Sequence, residues 1–297
     1  MTDQKNMKKI DPNMKGFVSG GCIVAEMALG GLFMENLKME KQRTSKPYPT
    51  LIRNTLKQGI RGFEAGLFPW GVTIGFTKGT VLGWSHSHIK NICYKNDISP
   101  SATTYISGFG AGAIQGAFIS PLMLARTRVN EVVTQRGLIN QTKTGWYHDL
   151  KMSSGILYGA VKNEGIGTLF KGMPTMIVRR SMDWGLRFAI KSKLDTQMKL
   201  YKSPSMDIKL NNYEKLGTSF TSGVIASAFT MPLDRMIPIM QSSSKEGIVK
   251  AMKNNFANEG ISTMFRGYGM RAIHTGWHTA FAIFVADYVY ERIIQNN

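Results

Sequence analysis

The sequence predicts an all-α membrane protein in which three pseudo-repeats, each a helix, a short amphipathic helix and a second helix, set six transmembrane helices around a central cavity. Three observations predict this. A block recurs at a spacing of about 100 residues, as Lys57-Gln58-Gly59-Ile60-Arg61-Gly62-Phe63-Glu64-Ala65-Gly66, Asn163-Glu164-Gly165-Ile166-Gly167-Thr168-Leu169-Phe170-Lys171-Gly172 and Asn258-Glu259-Gly260-Ile261-Ser262-Thr263-Met264-Phe265-Arg266-Gly267. Each block is flanked on both sides by a Gly-rich apolar stretch long enough to cross a bilayer of about 30 Å. Charged residues, among them Glu26, Lys78, Arg179, Arg180, Asp183, Arg187, Arg271 and Asp287, fall inside these stretches. A charge facing lipid at mid-bilayer costs several kcal/mol, so these faces point towards something polar.

The elements follow in order. Residues 1–15 form a polar tail without the apolar core and small-residue cleavage site of a secretory signal, so import is expected to use internal information. The first repeat covers 16–100, with spans near Gly16–Lys38 and Gly66–Lys90; the second covers 101–202, with spans near Thr103–Arg128 and Gly172–Lys193. The third covers 203–297, with spans near Glu214–Met240 and Gly267–Ile293. The leading span of each pair carries small residues at four-residue spacing: Gly16 and Gly20, then Gly108, Gly112 and Gly116, then Ser219, Gly223 and Ser227. That spacing lets helix backbones approach closely where apolar burial cannot drive association. Between the spans, Pro49–Gln58, Tyr147–Asn163 and Lys245–Asn258 read as amphipathic helices lying along a membrane surface. Thr134–Gly145 and Lys202–Leu210 read as loops.

Composition narrows the function. Lys and Arg number 37 against 19 Asp and Glu, and the net charge of +18 points to an anionic partner. A nucleic-acid binder would account for the charge and not for six apolar spans. Cys22 and Cys93 are isolated and suggest neither a disulfide nor a metal site. No P-loop, Ser-His-Asp order or paired-carboxylate arrangement is present, so an enzyme is not expected. His274 and His278, four apart, lack a third ligand for a metal.

With this repeat and span pattern the chain, from about Gly16 to Ile293, resembles the mitochondrial carrier family, as a divergent member whose short helices would lie on the matrix side. In that family each odd span ends with Pro, an acid two residues later, a base five later and Gln nine later. The matching positions here are Phe33, Glu35, Lys38 and Gln42; Pro121, Met123, Arg126 and Asn130; and Pro232, Asp234, Ile237 and Gln241. The resemblance implies a matrix gate with Glu35 paired to Arg126 and Asp234 to Lys38, braced by Gln42 and Gln241, while the third pair becomes Met123 with Ile237. Losing both charges of one pair together avoids stranding an uncompensated ion. The family's opposite gate is expected to be essentially absent, because its acid positions fall at His86, Ser192 and Asp287 and its base positions at Ile89, Asp195 and Tyr290. Phe33 removes the first kink proline, and Pro238 adds one to the fifth span.

The resemblance also implies substrate contacts at Thr73, Arg179 with Arg180, and His274, with Lys78, Arg187 and Arg271 adding positive charge. Leu186-Arg187-Phe188 and Glu35-Asn36-Leu37-Lys38 are weakly similar to the tricarboxylate-type branch. Guanidinium forks suit carboxylate or phosphate oxygens. Bound cardiolipin is implied at Gly66, Gly172 and Gly267, and no cofactor. Two functions follow: exchange of a small anionic solute, a di- or tricarboxylate among the candidates, by alternating access across the mitochondrial inner membrane; or a transport-deficient structural subunit of a large inner-membrane assembly such as a respiratory complex. The damaged gates keep the second open.

Overall fold

The computed structural model of the chain describes residues 10–44, 47–57, 71–135, 165–170, 172–203, 208–241, 265 and 267–295, with short pieces between 151 and 163. Side chains at 39–40, 42–44, 124–135, 168–169, 233, 235–241 and 294–295 lie outside this description. All described elements are helical: α1 (Pro12–Glu26), α2 (Leu32–Thr44), α3 (Tyr48–Lys57), α4 (Val72–Lys95), α5 (Pro100–Gln135), α6 (Met173–Lys202), α7 (Asn212–Gln241), α8 (Tyr268–Thr279) and α9 (Ala286–Gln295). Wide π turns, Met27–Gly31 and Ala280–Val285, join α1 to α2 and α8 to α9, so each pair forms one span. The six expected spans are all present as helices, and α3 occupies the first expected surface helix. The other two surface segments lie wholly or mostly outside the described residues.

Local chemistry sets the helix starts. Asp11 caps α1, its side chain accepting from the Asn13 N–H at 2.9 Å, and Pro12 opens the first turn without an N–H to satisfy. Gly172 and Gly267, with φ of 81° and 86°, enter α6 and α8 from the left-handed region that glycine alone visits cheaply. The helices pack as a closed ring, α1 on α4, α4 on α5, α5 on α6, α6 on α7, α7 on α8, and α9 back onto α1.

The small-residue stripes lie where the two spans of a repeat meet. A Cβ at Gly79 would come within 2.7 Å of the Gly20 Cα, one at Gly112 within 2.8 Å of the Arg180 carbonyl carbon, and one at Gly223 within 2.6 Å of the Thr275 oxygen. Large apolar side chains such as Phe118, Phe229, Val178 and Ile273 instead stand exposed on the outside, as a lipid-facing surface requires. Among the described residues, two segments, Pro12–Lys38 and Pro100–Met123, are long and apolar enough by composition to cross a membrane. The remaining spans fall short because their polar residues, including Asp183, Arg187 and Arg271, are buried inside the ring.

The first span is kinked although Phe33 stands in place of the proline. Within Met27–Gly31 the backbone leaves helical geometry at Leu29 and Gly30, the latter with φ 111°, so a glycine does at this position what a proline does elsewhere. By contrast, α5 runs continuously through Pro121.

Candidate functional site

A narrow cleft of about 60 Å³ lies inside the ring. Glu26 and Met27 reach it from the first span, Glu35 and Lys38 from α2, Lys78 from α4, Arg179, Arg180, Asp183 and Arg187 from α6, Asp234 from α7, and Arg271, His274 and His278 from α8. Successive turns of α6 bring its four ionic residues to one stripe, because positions three and four apart share a helix face.

Asp234 is the hub of one end. Its carboxylate lies 3.2 Å from the Lys38 ammonium and also pairs with the guanidinium groups of Arg179 and Arg271. The expected Asp234–Lys38 pair is therefore formed, but Arg179, expected to face the solute, is shared with this gate acid. Arg271 also donates to Thr230 Oγ1 at 2.8 Å. Glu35 lines the cleft, whereas its expected partner Arg126, together with Gln42 and Gln241, has a side chain outside the described residues.

Deeper in the ring, Arg187 pairs with Asp183 at 2.6 Å, both almost fully buried, and lies 4.5 Å over the Trp184 ring. Trp184 donates from Nε1 to Gln115 at 2.8 Å, and Gln115 donates to the Lys78 carbonyl at 2.9 Å. With Leu82, Ala111 and Ile283, Trp184 forms an apolar layer across four spans. Among the cleft's cations, nitrogen atoms of Arg179, Arg180, Arg187 and Arg271 are buried without a hydrogen-bond partner. Of the other expected solute contacts, Lys78 and His274 line the cleft, and Thr73 does not: it is exposed near the start of α4. Gly172 and Gly267 sit at the N-termini of α6 and α8, and Gly66 lies outside the described residues.

The far end of the bundle corrects the expectation of an empty second gate. The Lys15 ammonium pairs with Asp287, donates to the Ala286 carbonyl at 3.0 Å and lies 4.9 Å from the Tyr290 ring centroid. The Asp11 N–H donates to the Tyr290 hydroxyl at 2.8 Å, and Asn91 donates to the Ile10 carbonyl at 2.8 Å. Asp195, at an expected base position, instead accepts from Lys191 of its own helix and from Thr218 of α7, both at 2.5 Å. His86, at an expected acid position, stacks on Phe188 with ring centroids 4.1 Å apart. Lys15 comes from an odd span outside the gate motif, so no motif search would have found it.

Comparison with known proteins agrees with this architecture. The sequence model of one family, described as mitochondrial carrier protein, matches residues 98–202 and 209–297. The chain is 24% identical over 244 residues to the citrate/oxoglutarate carrier protein of Saccharomyces cerevisiae, covering 79% of this chain and 75% of that one. It is 24% identical over 294 residues to the mitochondrial thiamine pyrophosphate carrier 1 of Scheffersomyces stipitis, covering 93% and 88%. It is 21% identical over 248 residues to the human mitochondrial 2-oxodicarboxylate carrier, covering 80% and 78%.

Proposed function

Because the chain belongs to the mitochondrial carrier family, and so is a membrane transporter of small solutes rather than an enzyme, we propose that it exchanges a small anion, a di- or tricarboxylate, across the mitochondrial inner membrane by alternating access. One observation carries the reading: four guanidinium groups around the cleft hold buried nitrogens without acceptors. A buried donor left unpaired costs about 1–3 kcal/mol, which a carboxylate ligand would recover. Lys78, Arg180 and Arg187 are the proposed contacts, with His274 beside them, Arg179 shared with Asp234, and Thr73 at the margin. The names of the relatives, a citrate/oxoglutarate and a 2-oxodicarboxylate carrier among them, support the solute class. Cardiolipin at the N-termini of α6 and α8 belongs to the same proposal, since free N–H groups there suit its phosphates.

The test is exchange by purified protein in liposomes loaded with citrate, 2-oxoglutarate or thiamine pyrophosphate. Carboxylate exchange is expected, and Arg180→Ala should weaken apparent affinity roughly 10- to 100-fold, the worth of one charged hydrogen bond. Exchange of thiamine pyrophosphate alone, or carboxylate exchange untouched by Arg180→Ala, would refute the site. The competing role as a structural subunit of a large inner-membrane assembly draws support from the far end of the bundle. There, the Lys15–Asp287 pair ties the first span to the last. Stoichiometric residence in a large complex on native gels, with no exchange in liposomes, would favour that role.

A further inference from the structure

The far end of the bundle is tied in a way that differs from one seam to the next. Here the chain itself joins α4 to α5 and α6 to α7, whereas α9 and α1, the last and first described helices, have no connection to join them. That third seam is closed by residues 10–15. The Ile10 carbonyl accepts from the Asn91 side chain of α4 at 2.8 Å, and the Asp11 N–H donates to the Tyr290 hydroxyl of α9 at 2.8 Å. Both groups belong to one planar peptide unit and point to opposite sides of the chain, so a single peptide bridges the second span to the sixth. One helical turn on, the Lys15 ammonium pairs with Asp287 and donates to the Ala286 carbonyl at 3.0 Å. Ile10 and Met14 back these ties by packing on Val18, Cys22, Ala286 and Tyr290.

The second repeat is held at this end by contacts of another kind. His86 of α4 stacks on Phe188 of α6, and a stack lacks the directionality of a hydrogen bond. Lys202 and Glu214 pair between α6 and α7 with side chains 37% and 20% exposed, and exposed pairs hold weakly. Thr218 donates to Asp195 through a hydroxyl that has a second acceptor, the Lys215 carbonyl, 3.2 Å away. Residues 10–15 have no such exchange of partners to offer. Releasing them frees both polar groups of one peptide together and strands the Lys15 ammonium, whose side chain is 9% exposed.

We propose that residues 10–15 are a clasp that makes the first and third repeats one body at this end, so that alternating access proceeds there by movement of the second repeat against that body. The proposal rests on the transport reading above. Rocking of one part of a bundle against another is a general form of alternating access; the clasp specifies which part stays whole. Its test fixes each seam with a short, reductively cleavable bis-thiol reagent. The parent protein carries Cys22→Ala and Cys93→Ala, which remove both native thiols, and sits in liposomes with whichever of the three solutes above it exchanges fastest. Lys15→Cys with Asp287→Cys replaces the clasp by a covalent bridge, and Met14→Cys with Val289→Cys fixes the same seam without touching the ion pair. His86→Cys with Phe188→Cys and Asp195→Cys with Thr218→Cys fix the second repeat to its neighbours. Bridging is counted by intact mass, and each rate is compared with that of the same protein after cleavage, so the cost of the substitutions cancels. Both clasp pairs should exchange equally well bridged and cleaved, whereas bridging either pair on the second repeat should stop exchange until the reagent is cleaved. Loss of exchange on bridging a clasp pair, exchange that survives bridging at either second-repeat pair, or a clasp that does not bridge while the other pairs do overturns the clasp and leaves transport standing. Absence of exchange of all three solutes by the thiol-free parent overturns the transport reading, and the clasp with it.

Discussion

Asp234→Asn is the most informative substitution. The Asp234 side chain is 6% exposed and faces the ammonium of Lys38 and the guanidinium groups of Arg179 and Arg271. The amide keeps the volume and removes the one charge that reconciles three cations. Removing one member of a buried ionic set costs about 3–5 kcal/mol, because the remaining charges stay desolvated. For a chain of this length that corresponds to a fall in Tm of roughly 6–15 °C. Both free thiols, Cys22 and Cys93, are buried, so a thiol-reactive dye read against temperature in detergent reports unfolding. Two further readings separate electrostatics from packing. Adding Lys38→Met to Asp234→Asn should restore part of the loss, since it removes one of the stranded cations. Citrate at about a hundred times its Kd should restore more, up to about 2.7 kcal/mol, by standing in for the missing carboxylate. A Tm for Asp234→Asn indistinguishable from wild type would refute the hub assignment.

Two other substitutions test the scaffold. Gly112→Val should cost about 1–3 kcal/mol or more, because the new side chain meets the α6 backbone at Arg180 and Ser181, whereas Gly21→Ala, with open space around it, should leave thermal unfolding unchanged. Gly30→Ala should cost about 1–2 kcal/mol through its φ of 111°, and a milder loss for Gly30→Asn on the same melt would identify backbone conformation as the cause.

How much of this was legible depended on whether the signal was periodic. The three blocks and the spaced glycines repeat, so the six spans and the close approach of their helices could be read from position, while the Lys38–Asp234 pair came from the family resemblance. The kink at Gly30 could not, because a pair of glycines in an apolar stretch looks like ordinary membrane-helix composition, and only backbone geometry shows which one leaves the helix. The tie from Lys15 to Asp287 joins residues far apart in sequence and outside any motif, so a motif-based reading of that end saw damage and missed the replacement. Arg179 and Arg271 were legible as cavity cations, yet their sharing of Asp234 depends on the reach of long side chains across the ring. Glu26 was read as one inward charge among several; its partnership with two imidazoles required the register of α1 against α8.

The apolar layer of Leu82, Ala111, Trp184 and Ile283 has a consequence for the membrane as an electrical insulator. A mitochondrial membrane stores energy as a voltage, and every elementary charge that leaks across 100 mV dissipates about 2.3 kcal/mol. An ion that entered the charged cleft and met this layer would have to shed its water against Trp184, which is fully buried and already has its own N–H engaged by Gln115. Four spans contribute to the layer, so it is held by packing between helices and not by one side chain. The protein can therefore keep a strongly polar interior within a membrane that must not conduct.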